Sequence, residues 1–281
     1  MTTAWMAEHR SAALRALADA GVWDPCADTA ALVAKHFEGV EFADEQRVQA
    51  FRTDVAERCA RIPLGHILGY VDFGFLRLMV GSGTFVPRRQ SLAMVRWIER
   101  NLRLDSHSTV YDLCAGVGAL GLSIWAAVGA RVTAVELDPT AQAYLLRNIG
   151  RLGAGHQLAL MAADITRPCA FDQYRRQVDV VVANPPYVAP HTDLLPEWSR
   201  HHPPGAIYAG NEGGELIEAC ARIAGTVLKP AGALLIEHGE GQAEQVETLM
   251  RRHGFESISH CLDDDFSDAT GPSVFTVGIR S

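Results

Sequence analysis

The chain has 281 residues, of which 48% are hydrophobic and 21% charged. This composition is typical of a globular protein and excludes collagen, coiled-coil and disordered chains. Its 25 Lys and Arg residues against 33 Asp and Glu residues give a net charge of −8. Because non-specific affinity for nucleic acid comes from neutralised phosphates, no stable nucleic-acid binding is expected. The length favours two domains of unequal size.

The cysteines and the N-terminus indicate the compartment. The six cysteines are widely spaced, with no C-x-x-C pair and no histidine at ligand spacing. This spacing predicts neither disulfides nor a zinc site. The N-terminus has no apolar signal core, and no segment reaches the roughly 18 apolar residues of a membrane span. We therefore expect a reduced, cytoplasmic protein that needs no metal and contacts no membrane.

Residues 1–62 have a helical pattern. Their apolar residues recur three and four positions apart, which predicts three helices. Breaks are expected near Pro25 and Gly39, and Asp24 and Asp44 can cap the helices that follow. Because the segment holds no cluster of chemically active residues, we interpret it as a small module for packing or recognition.

The pattern changes twice more along the chain. Short runs separated by glycine in residues 63–87 predict a β-hairpin linker. After a helix near 91–102, strands and helices alternate through residues 88–281, which predicts an α/β domain with a mainly parallel, Rossmann-like sheet covered on both faces. The last two strands leave no room for a helix between them and should be antiparallel. The predicted strands are 109–114, 131–136, 157–162, 178–183, 233–237, 255–261 and 273–279.

A glycine-rich turn follows the first strand of this domain. Gly116, Gly118 and Gly121 have the spacing G-x-G-x-x-G, which lets the backbone approach a ligand closely. Glu136 ends the next strand, about 20 positions on, where such folds place the acid that binds a ribose hydroxyl. This pattern alone does not separate a nicotinamide cofactor from S-adenosylmethionine.

Two aspartates favour S-adenosylmethionine. Asp112 precedes the turn, and Asp164 follows the third strand. A carboxylate there would repel a pyrophosphate and attract a sulfonium or an ammonium group. The alternative is that both aspartates only cap helices or loops, as aspartate commonly does. With Glu136, they would lie at the ends of three strands, at the edge where open sheets bind ligands.

The fourth strand leads into Asn184-Pro185-Pro186-Tyr187. The prolines fix φ and lack N–H groups, so the Asn184 side chain and the Pro185 carbonyl can form a rigid pair of acceptors for a planar NH2 group. Tyr187 adds an aromatic face for that group. Positioning and desolvation supply much of the acceleration of a methyl transfer, so no strong base is needed. The alternative is a proline-rich turn.

This tetrapeptide after such a turn resembles the amino methyltransferases that act on planar nitrogens, namely the adenine methyltransferases and the HemK/PrmC release factor glutamine methyltransferases. The second group is similar over nearly the whole chain. The matching segments are Pro63-x-x-x-Ile67-Leu68-Gly69, Phe73-Gly74 with Leu78, Phe85-Val86-Pro87-Arg88, Pro203-x-x-Ala206-Ile207, Gly213-Gly214 and Leu234-Leu235-Ile236-Glu237-His238-Gly239.

The resemblance implies a helical N-terminal domain (1–62), a β-hairpin linker (63–87) and a seven-stranded methyltransferase domain (88–281). It implies methyl transfer from S-adenosylmethionine, leaving S-adenosylhomocysteine, to the glutamine amide nitrogen of the Gly-Gly-Gln motif of peptide chain release factors. The implied catalytic residues are Asn184, Pro185 and Tyr187. The implied cofactor-binding residues are Phe85, Asp112, Cys114, Ala115, Gly116, Gly118, Glu136, Leu137, Asp164, Ile165 and Asn184. The implied substrate-binding residues are Arg88, Asn184, Pro185, Pro186, Tyr187 and Trp198.

Some positions depart from the family pattern and leave the acceptor open. The family has Pro-Arg-Pro-acid-Thr-Glu at residues 87–92, a glycine at Cys114, Glu-Pro at His202-Pro203 and an arginine segment at residues 271–273. A paralogue that methylates a nitrogen of a small molecule is therefore a second hypothesis. Methylation of a nucleic-acid adenine is a third, which the acidic net charge disfavours. A silent S-adenosylmethionine-binding protein is a fourth, which the intact tetrapeptide disfavours.

Two further groups of polar residues have less specific patterns. Glu237 and His238 end the fifth strand, and we predict a structural role for them, away from the tip of the fourth strand. His191, His201 and His202 lie in the long segment after Tyr187. Without a matching pattern of carboxylates and cysteines, this segment is interpreted as a solvated or substrate-lining loop that carries Trp198, and not as a metal site.

Overall fold

The computed structural model describes residues 3–40, 44–210, 213–268 and 271–281. Its helices are α1 (Thr3–Asp19), α2 (Pro25–Phe37), α3 (Glu45–Cys59), α4 (Leu64–Leu68), α5 (Leu92–Asn101), α6 (Ala119–Val128), α7 (Pro139–Leu152), α8 (Pro196–His201), α9 (Glu215–Val227) and α10 (Ala243–Arg252). Its strands are β1 (Tyr70–Phe73), β2 (Leu76–Met79), β3 (Thr109–Leu113), β4 (Arg131–Glu136), β5 (Leu158–Ala162), β6 (Val178–Ala183), β7 (Leu228–Glu237), β8 (Phe255–Asp268) and β9 (Gly271–Arg280).

The first four helices share an apolar cluster, which includes Leu17, Leu32, Phe51 and Ile67. The predicted caps are present. An Asp24 oxygen accepts a hydrogen bond from the Ala27 N–H at 2.8 Å, and Asp44 accepts one from the Arg47 N–H at 2.8 Å. These bonds satisfy N–H groups that the first turn of a helix leaves free.

Strands β1 and β2 form the expected hairpin, with Tyr70 opposite Met79 and Phe73 opposite Leu76. The short helix α4 precedes them and is absent from the sequence prediction. Its five residues are too few to show a helical period. The helix ends at Gly69, whose φ of 80° lies in the left-handed region that glycine adopts most easily.

The remaining strands form one sheet in the order β5-β4-β3-β6-β7-β9-β8. The neighbouring pairs from β5 to β7 are parallel, whereas β9 is antiparallel to both β7 and β8. The Rossmann-like sheet and its antiparallel closing pair are thus confirmed. The order reverses between β3 and β6, and open sheets of this kind bind ligands at the carboxyl ends of the strands beside that reversal.

Helices cover both faces of the sheet. In β6, Val180 and Val182 belong to one buried cluster and Val181 belongs to another on the opposite face. Successive side chains of a strand alternate between faces, so a strand covered on both sides has a continuous apolar sequence. This explains the run of valines that made β6 recognisable.

Five strands differ from the prediction at one or both ends. Strand β5 begins one residue late, at Leu158, and β9 is longer than predicted, at Gly271–Arg280. Strand β3 ends at Leu113, one residue early, because Cys114 has a φ of 58°. Strand β7 begins at Leu228, which pairs with Val178 across an irregularity in register. Strand β8 continues to Asp268 as an arm whose side chains are mostly exposed or half-buried. Strand patterns are recognised by their apolar residues, so the polar arm gave no signal.

Candidate active site

The carboxyl ends of five adjacent strands bring polar side chains to one cavity of about 1580 Å³. Glu136 and Glu237 end β4 and β7, Asp112 lies near the end of β3, Asp164 follows β5, and Asn184 follows β6. These five side chains all line the cavity. Parallel strands place their carboxyl ends at one edge, which is why residues far apart in sequence meet there.

Among the predicted site residues, Gly118 alone does not line this cavity. Its φ of 91° is left-handed, and a Cβ atom there would lie 2.4 Å from Leu145 Cδ1. The glycine is therefore required by backbone conformation and packing and not by contact with a ligand. The predicted residues that line the cavity are Phe85, Arg88, Asp112, Cys114, Ala115, Gly116, Glu136, Leu137, Asp164, Ile165, Asn184, Pro185, Pro186, Tyr187 and Trp198.

Glu136 holds the glycine turn in place. Its Oε2 accepts a hydrogen bond from the Gly116 N–H at 2.7 Å, and its Oε1 accepts bonds from the N–H groups of Leu137 and Asp138 at 2.8 and 2.7 Å. A carboxylate can accept about four hydrogen bonds. Glu136 can therefore fix the turn and still accept one bond from a ligand.

Asp112 is buried beneath the turn, with 1% of its surface exposed. Its Oδ2 accepts a hydrogen bond from the Gly121 N–H at 2.8 Å. Burial, which outweighs this bond, and the nearby charge of Glu136 raise the pKa of Asp112 to about 7. The helix-capping alternative is therefore realised in this contact, although the side chain also lines the cavity.

The raised pKa of Asp112 predicts a stability effect. A carboxyl group whose pKa is higher in the folded than in the unfolded state stabilises the fold less as pH rises from 3.8 towards 7. Asp112→Asn removes this charge and keeps an oxygen for Gly121. We expect the variant to melt roughly 5 °C above the ligand-free wild type at pH 8 and nearly level with it at pH 4. Thermal unfolding at both pH values measures this, and an equal offset at both would contradict the assignment.

Beyond the end of β5, the polar side chain of Asp164 lies in the same cavity lining as the apolar side chains of Leu137 and Ile165. Asp164 Oδ1 accepts hydrogen bonds from the Thr166 hydroxyl at 2.7 Å and the Thr166 N–H at 2.8 Å, and these bonds keep the pKa of Asp164 below its usual value. Leu137 is 62% exposed and Ile165 is buried, yet both line the cavity. This end of the cavity therefore suits a flat heterocycle with hydrogen-bonding edges.

The Asn-Pro-Pro-Tyr segment is fixed by side chains around it. Asn184 Nδ2 donates to Ser91 Oγ at 3.1 Å, which leaves Oδ1 for other partners. Gln242 Nε2 donates to the Tyr187 carbonyl at 3.1 Å. A Cβ atom at Gly213 would lie 2.2 Å from the same carbonyl, so only glycine allows this close approach.

Trp198 lies on the short helix α8 and not in a loop, which corrects the sequence interpretation. The six residues of α8 are too few to show a period. The Arg88 guanidinium lies 4.6 Å from the centre of the Trp198 ring and makes two hydrogen bonds to Asp268, both at 3.0 Å. One wall of the cavity is thus a stacked pair that the β8 arm holds in place.

His202 lies beside the cavity, at the position where the resemblance implies a glutamate. Its ring centre lies 4.8 Å from that of Phe85. Burial lowers the pKa of His202 to about 3, helped by the nearby His66, His201 and Arg88, so the ring is neutral. Within the described residues, no group of three or more His, Cys, Asp or Glu side chains could hold a metal ion. No described helix is long and apolar enough to cross a membrane.

Ser91 was missed by the sequence analysis, and Glu237 and His238 were misplaced, because all three line the cavity. Glu237 was expected away from the tip of the fourth strand, but β7 is the neighbour of β6. Its Oε2 accepts a hydrogen bond from the Ser91 hydroxyl at 2.5 Å, and Ser91 in turn contacts Asn184. The signal was the strand order, which a single sequence does not reveal.

The chain is similar to known proteins over most of its length. Residues 92–229 match the family described as "Conserved hypothetical protein 95". The release factor glutamine methyltransferase of Mycolicibacterium smegmatis is 35% identical over 92% of this chain and 90% of its own. That of Streptomyces coelicolor is 37% identical over 83% and 85%. The 4-amino-L-phenylalanine/4-methylamino-L-phenylalanine methyltransferase of Streptomyces pristinaespiralis is 34% identical over 71% and 69%.

Solved structures share the fold at low sequence identity. The catalytic domain of hMettl16 in complex with an RNA hairpin has a TM-score of 0.56, with 14% identity over 80% of this chain and 81% of that one. TYW2 of P. horikoshii in complex with MeSAdo has a TM-score of 0.50, with 14% identity over 75% and 70%. Because the similarity to the Mycolicibacterium smegmatis relative covers both chains almost entirely, this chain is a methyltransferase that belongs to the release factor glutamine methyltransferase family.

Proposed function

We propose that this protein transfers the methyl group of S-adenosylmethionine to the side-chain amide nitrogen of the glutamine in the Gly-Gly-Gln motif of a peptide chain release factor. The observation that carries the proposal is Asn184-Pro185-Pro186-Tyr187 at the end of β6, in the same cavity as a carboxylate-lined glycine turn. The names of relatives that match most of the chain support the same acceptor.

The residues beside the glycine turn fit the proposed cofactor. Glu136 has room to accept a hydrogen bond from a ribose hydroxyl, and Leu137 offers an apolar face to the adenine beside Asp164. The carboxylate of Asp112 would attract the cationic end of the molecule. When bound, S-adenosylmethionine supplies a methyl group on a positively charged sulfur.

The residues after β6 would orient the acceptor amide. Asn184 Oδ1 and the Pro185 carbonyl each accept one hydrogen bond from its NH2 group, which fixes the plane of the amide and turns one face of the nitrogen to the methyl group. Tyr187, which is half-buried, would pack against the amide plane. The nitrogen lone pair forms the new N–C bond, the S–C bonding pair stays on sulfur, and one N–H proton leaves to solvent. Orientation of this kind supplies much of the rate.

Labelling with a tritiated methyl donor tests the proposal. We expect label on a purified release factor and none on a release factor whose Gly-Gly-Gln glutamine is replaced by alanine. No label on the unmodified factor, with cofactor binding intact, would contradict the proposed acceptor.

Calorimetry tests the cofactor separately. We expect S-adenosylmethionine to bind with a Kd in the micromolar range, about −8 kcal/mol, and the Kd to be the same with EDTA present. Absence of binding heat would contradict the cofactor assignment, and loss of binding in EDTA would contradict a metal-free site.

A small-molecule acceptor is the second candidate. It is favoured by the 34% identity to the Streptomyces pristinaespiralis enzyme, whose name gives an aromatic amine as substrate, and by the altered residues at 89–92 and 202. An arylamine NH2 group is also planar and also has two N–H donors. The same labelling assay with 4-amino-L-phenylalanine in place of the release factor tests it, and the better acceptor is the one with the higher kcat/KM.

A further inference from the structure

Three polar side chains form a chain of hydrogen bonds that ends at the site. The Ser91 hydroxyl is 2.5 Å from Glu237 Oε2 and 3.1 Å from Asn184 Nδ2. Ser91 is 3% exposed and Glu237 is 2% exposed, so water does not replace either partner. Each hydrogen atom in this chain can therefore be assigned to a donor.

The assignment has one solution while Glu237 is ionised. A carboxylate only accepts hydrogen bonds, so Ser91 must donate its single proton to Glu237. The length of 2.5 Å is typical of a hydroxyl donating to a charged oxygen. Ser91 then has only lone pairs to offer to Asn184, and the Asn184 amide must turn its NH2 group towards Ser91.

We infer that Ser91 and Glu237 are positioning residues that fix the orientation of the Asn184 amide, so that Oδ1 and not Nδ2 meets the NH2 group of the acceptor. The two ends of an amide have nearly the same shape, so hydrogen-bond partners decide which end faces which way. In the reverse orientation, Asn184 Nδ2 would face the NH2 group of the substrate. Both groups are hydrogen-bond donors, so no hydrogen bond could form between them. This inference rests on the proposed function, because it assumes that the acceptor is a planar NH2 group.

The chain of hydrogen bonds from Glu237 through Ser91 to Asn184 is called the relay below. Its stability depends on the groups around Glu237. The titratable or charged groups around the Glu237 carboxylate are Arg88, Asp268 and Tyr187, with His238 next in the chain. Burial raises the pKa of Glu237, whereas Arg88 and the Ser91 hydrogen bond oppose this rise. Arg88 and the Ser91 hydrogen bond thus favour the carboxylate form that the assignment requires, and assays at pH 8 favour that form further.

A double substitution tests the direction of the relay. Asn184→Asp puts a carboxylate on each side of Ser91, which has one proton for both, and we expect kcat to fall at least 100-fold at pH 8, a loss on the order of that caused by a misplaced substrate. Adding Glu237→Gln supplies a side-chain N–H to Ser91, and the serine can then donate to the aspartate introduced at position 184. We expect this double variant to recover at least about 10-fold of the lost kcat, the effect of one hydrogen bond to a charged group.

Single substitutions separate the relay from packing. Ser91→Ala should lower kcat about 10-fold with an unchanged Kd for S-adenosylmethionine, and Ser91→Thr, which keeps the hydroxyl, should restore it. Ser123→Ala is the matched control, because Ser123 is also buried and its hydroxyl has no partner among the described residues. The control should leave kcat within about twofold of the wild type.

An NMR measurement tests the contact without relying on activity. The sequence has four asparagines, at 101, 148, 184 and 211, so asparagine-selective 15N labelling gives four side-chain NH2 signals. The Asn184 signal is the one missing from Asn184→Asp. We expect Ser91→Ala to shift this signal more than any other, and Ser123→Ala to leave it unchanged.

The outcomes distinguish this inference from the proposed function. If the wild type labels neither a release factor nor the arylamine, the proposed methyl transfer is wrong. The NMR measurement still shows whether Ser91 contacts the Asn184 amide. If the wild type is active but the double variant is no better than Asn184→Asp, the relay is wrong. An Asn184 signal that does not respond to Ser91→Ala would also overturn it.

Discussion

Replacing Asn184 with alanine is expected to lower kcat for methyl transfer at least 100-fold, on the order of the loss for a misplaced acceptor, and to leave the Kd for S-adenosylmethionine within about threefold of the wild type. The variant removes Oδ1, one of the two oxygens that would hold the acceptor NH2 group. The cofactor would instead depend on Glu136, Asp112 and the glycine turn, which lie at or just after the ends of β3 and β4. Single-turnover labelling with a purified release factor measures transfer, and calorimetry measures binding.

The matched control for this variant is Asn101→Ala. Asn101 is an exposed asparagine whose Nδ2 donates to the Trp97 carbonyl at the end of α5. It lies outside the cavity lining, and its replacement should change neither transfer nor binding. If Asn184→Ala loses binding and transfer together, Asn184 is a structural residue and the proposed orientation of the acceptor is wrong.

The parts of the site that could be predicted from the sequence are those encoded by contiguous residues. The glycine turn, with Glu136 one strand later, is a local pattern, and Asn184-Pro185-Pro186-Tyr187 follows a strand that its valines identify. The parallel sheet then brings these segments to one edge. Most of the site could therefore be predicted from short motifs, because the fold class determines that the strands carrying them end at the same edge of the sheet.

The relay from Glu237 to Asn184 could not be predicted in the same way. It depends on β7 lying next to β6, and on the turn at Arg89–Ser91 reaching over the sheet to place Ser91 between them. Sequence order does not reveal either contact. The family pattern has threonine at position 91, so the hydroxyl itself is kept in Ser91. Nothing in the sequence indicates that it contacts Glu237, for which the sequence analysis predicts a structural role.

Two departures from the family pattern proved to be in contact. Gln90 Nε2 donates to the carbonyls of Gly271 and Pro272 at 2.6 and 3.0 Å, so the altered turn at 89–92 is tied to the altered segment at 271–273. Gln90 is buried, and this contact holds the turn that carries Ser91. The altered residues at 89–92 therefore border the cavity and also contact the altered segment at 271–273.

A buried ion-pair network joins the N-terminal helices to the acceptor side of the cavity. Glu197 precedes Trp198 on α8, and its carboxylate accepts two hydrogen bonds from Arg61, at 2.7 and 2.6 Å, and one from Arg58 at 2.7 Å. Arg58 also donates to Asp28 on α2 at 2.6 Å. The N-terminal module thus holds the helix whose tryptophan stacks on Arg88.

Glu197→Gln is therefore expected to destabilise the fold and weaken acceptor binding. It keeps the size of the side chain but leaves two arginines with less compensation, which costs about 3 kcal/mol, at the lower end for a broken buried pair because Arg58 keeps Asp28. We expect the melting temperature to fall by roughly 5–10 °C at pH 7 and the KM for the acceptor to rise severalfold. The Kd for S-adenosylmethionine should not change. Thermal unfolding and steady-state kinetics measure these effects.

The difference in melting temperature between the wild type and Glu197→Gln should depend on pH, whereas a packing defect would give the same difference at every pH. Burial raises the pKa of Glu197, but the bonds from Arg61 and Arg58 outweigh burial, and its pKa lies below 4.5 in the folded protein. The carboxylate therefore contributes its full stability above pH 4.5 and loses it as pH falls through the folded-state pKa. The difference between wild type and Glu197→Gln should narrow below pH 4.5, whereas Glu99→Gln, an exposed control on α5, should melt like the wild type throughout. A difference that stays constant with pH would indicate that Glu197 acts through its shape and not through its charge.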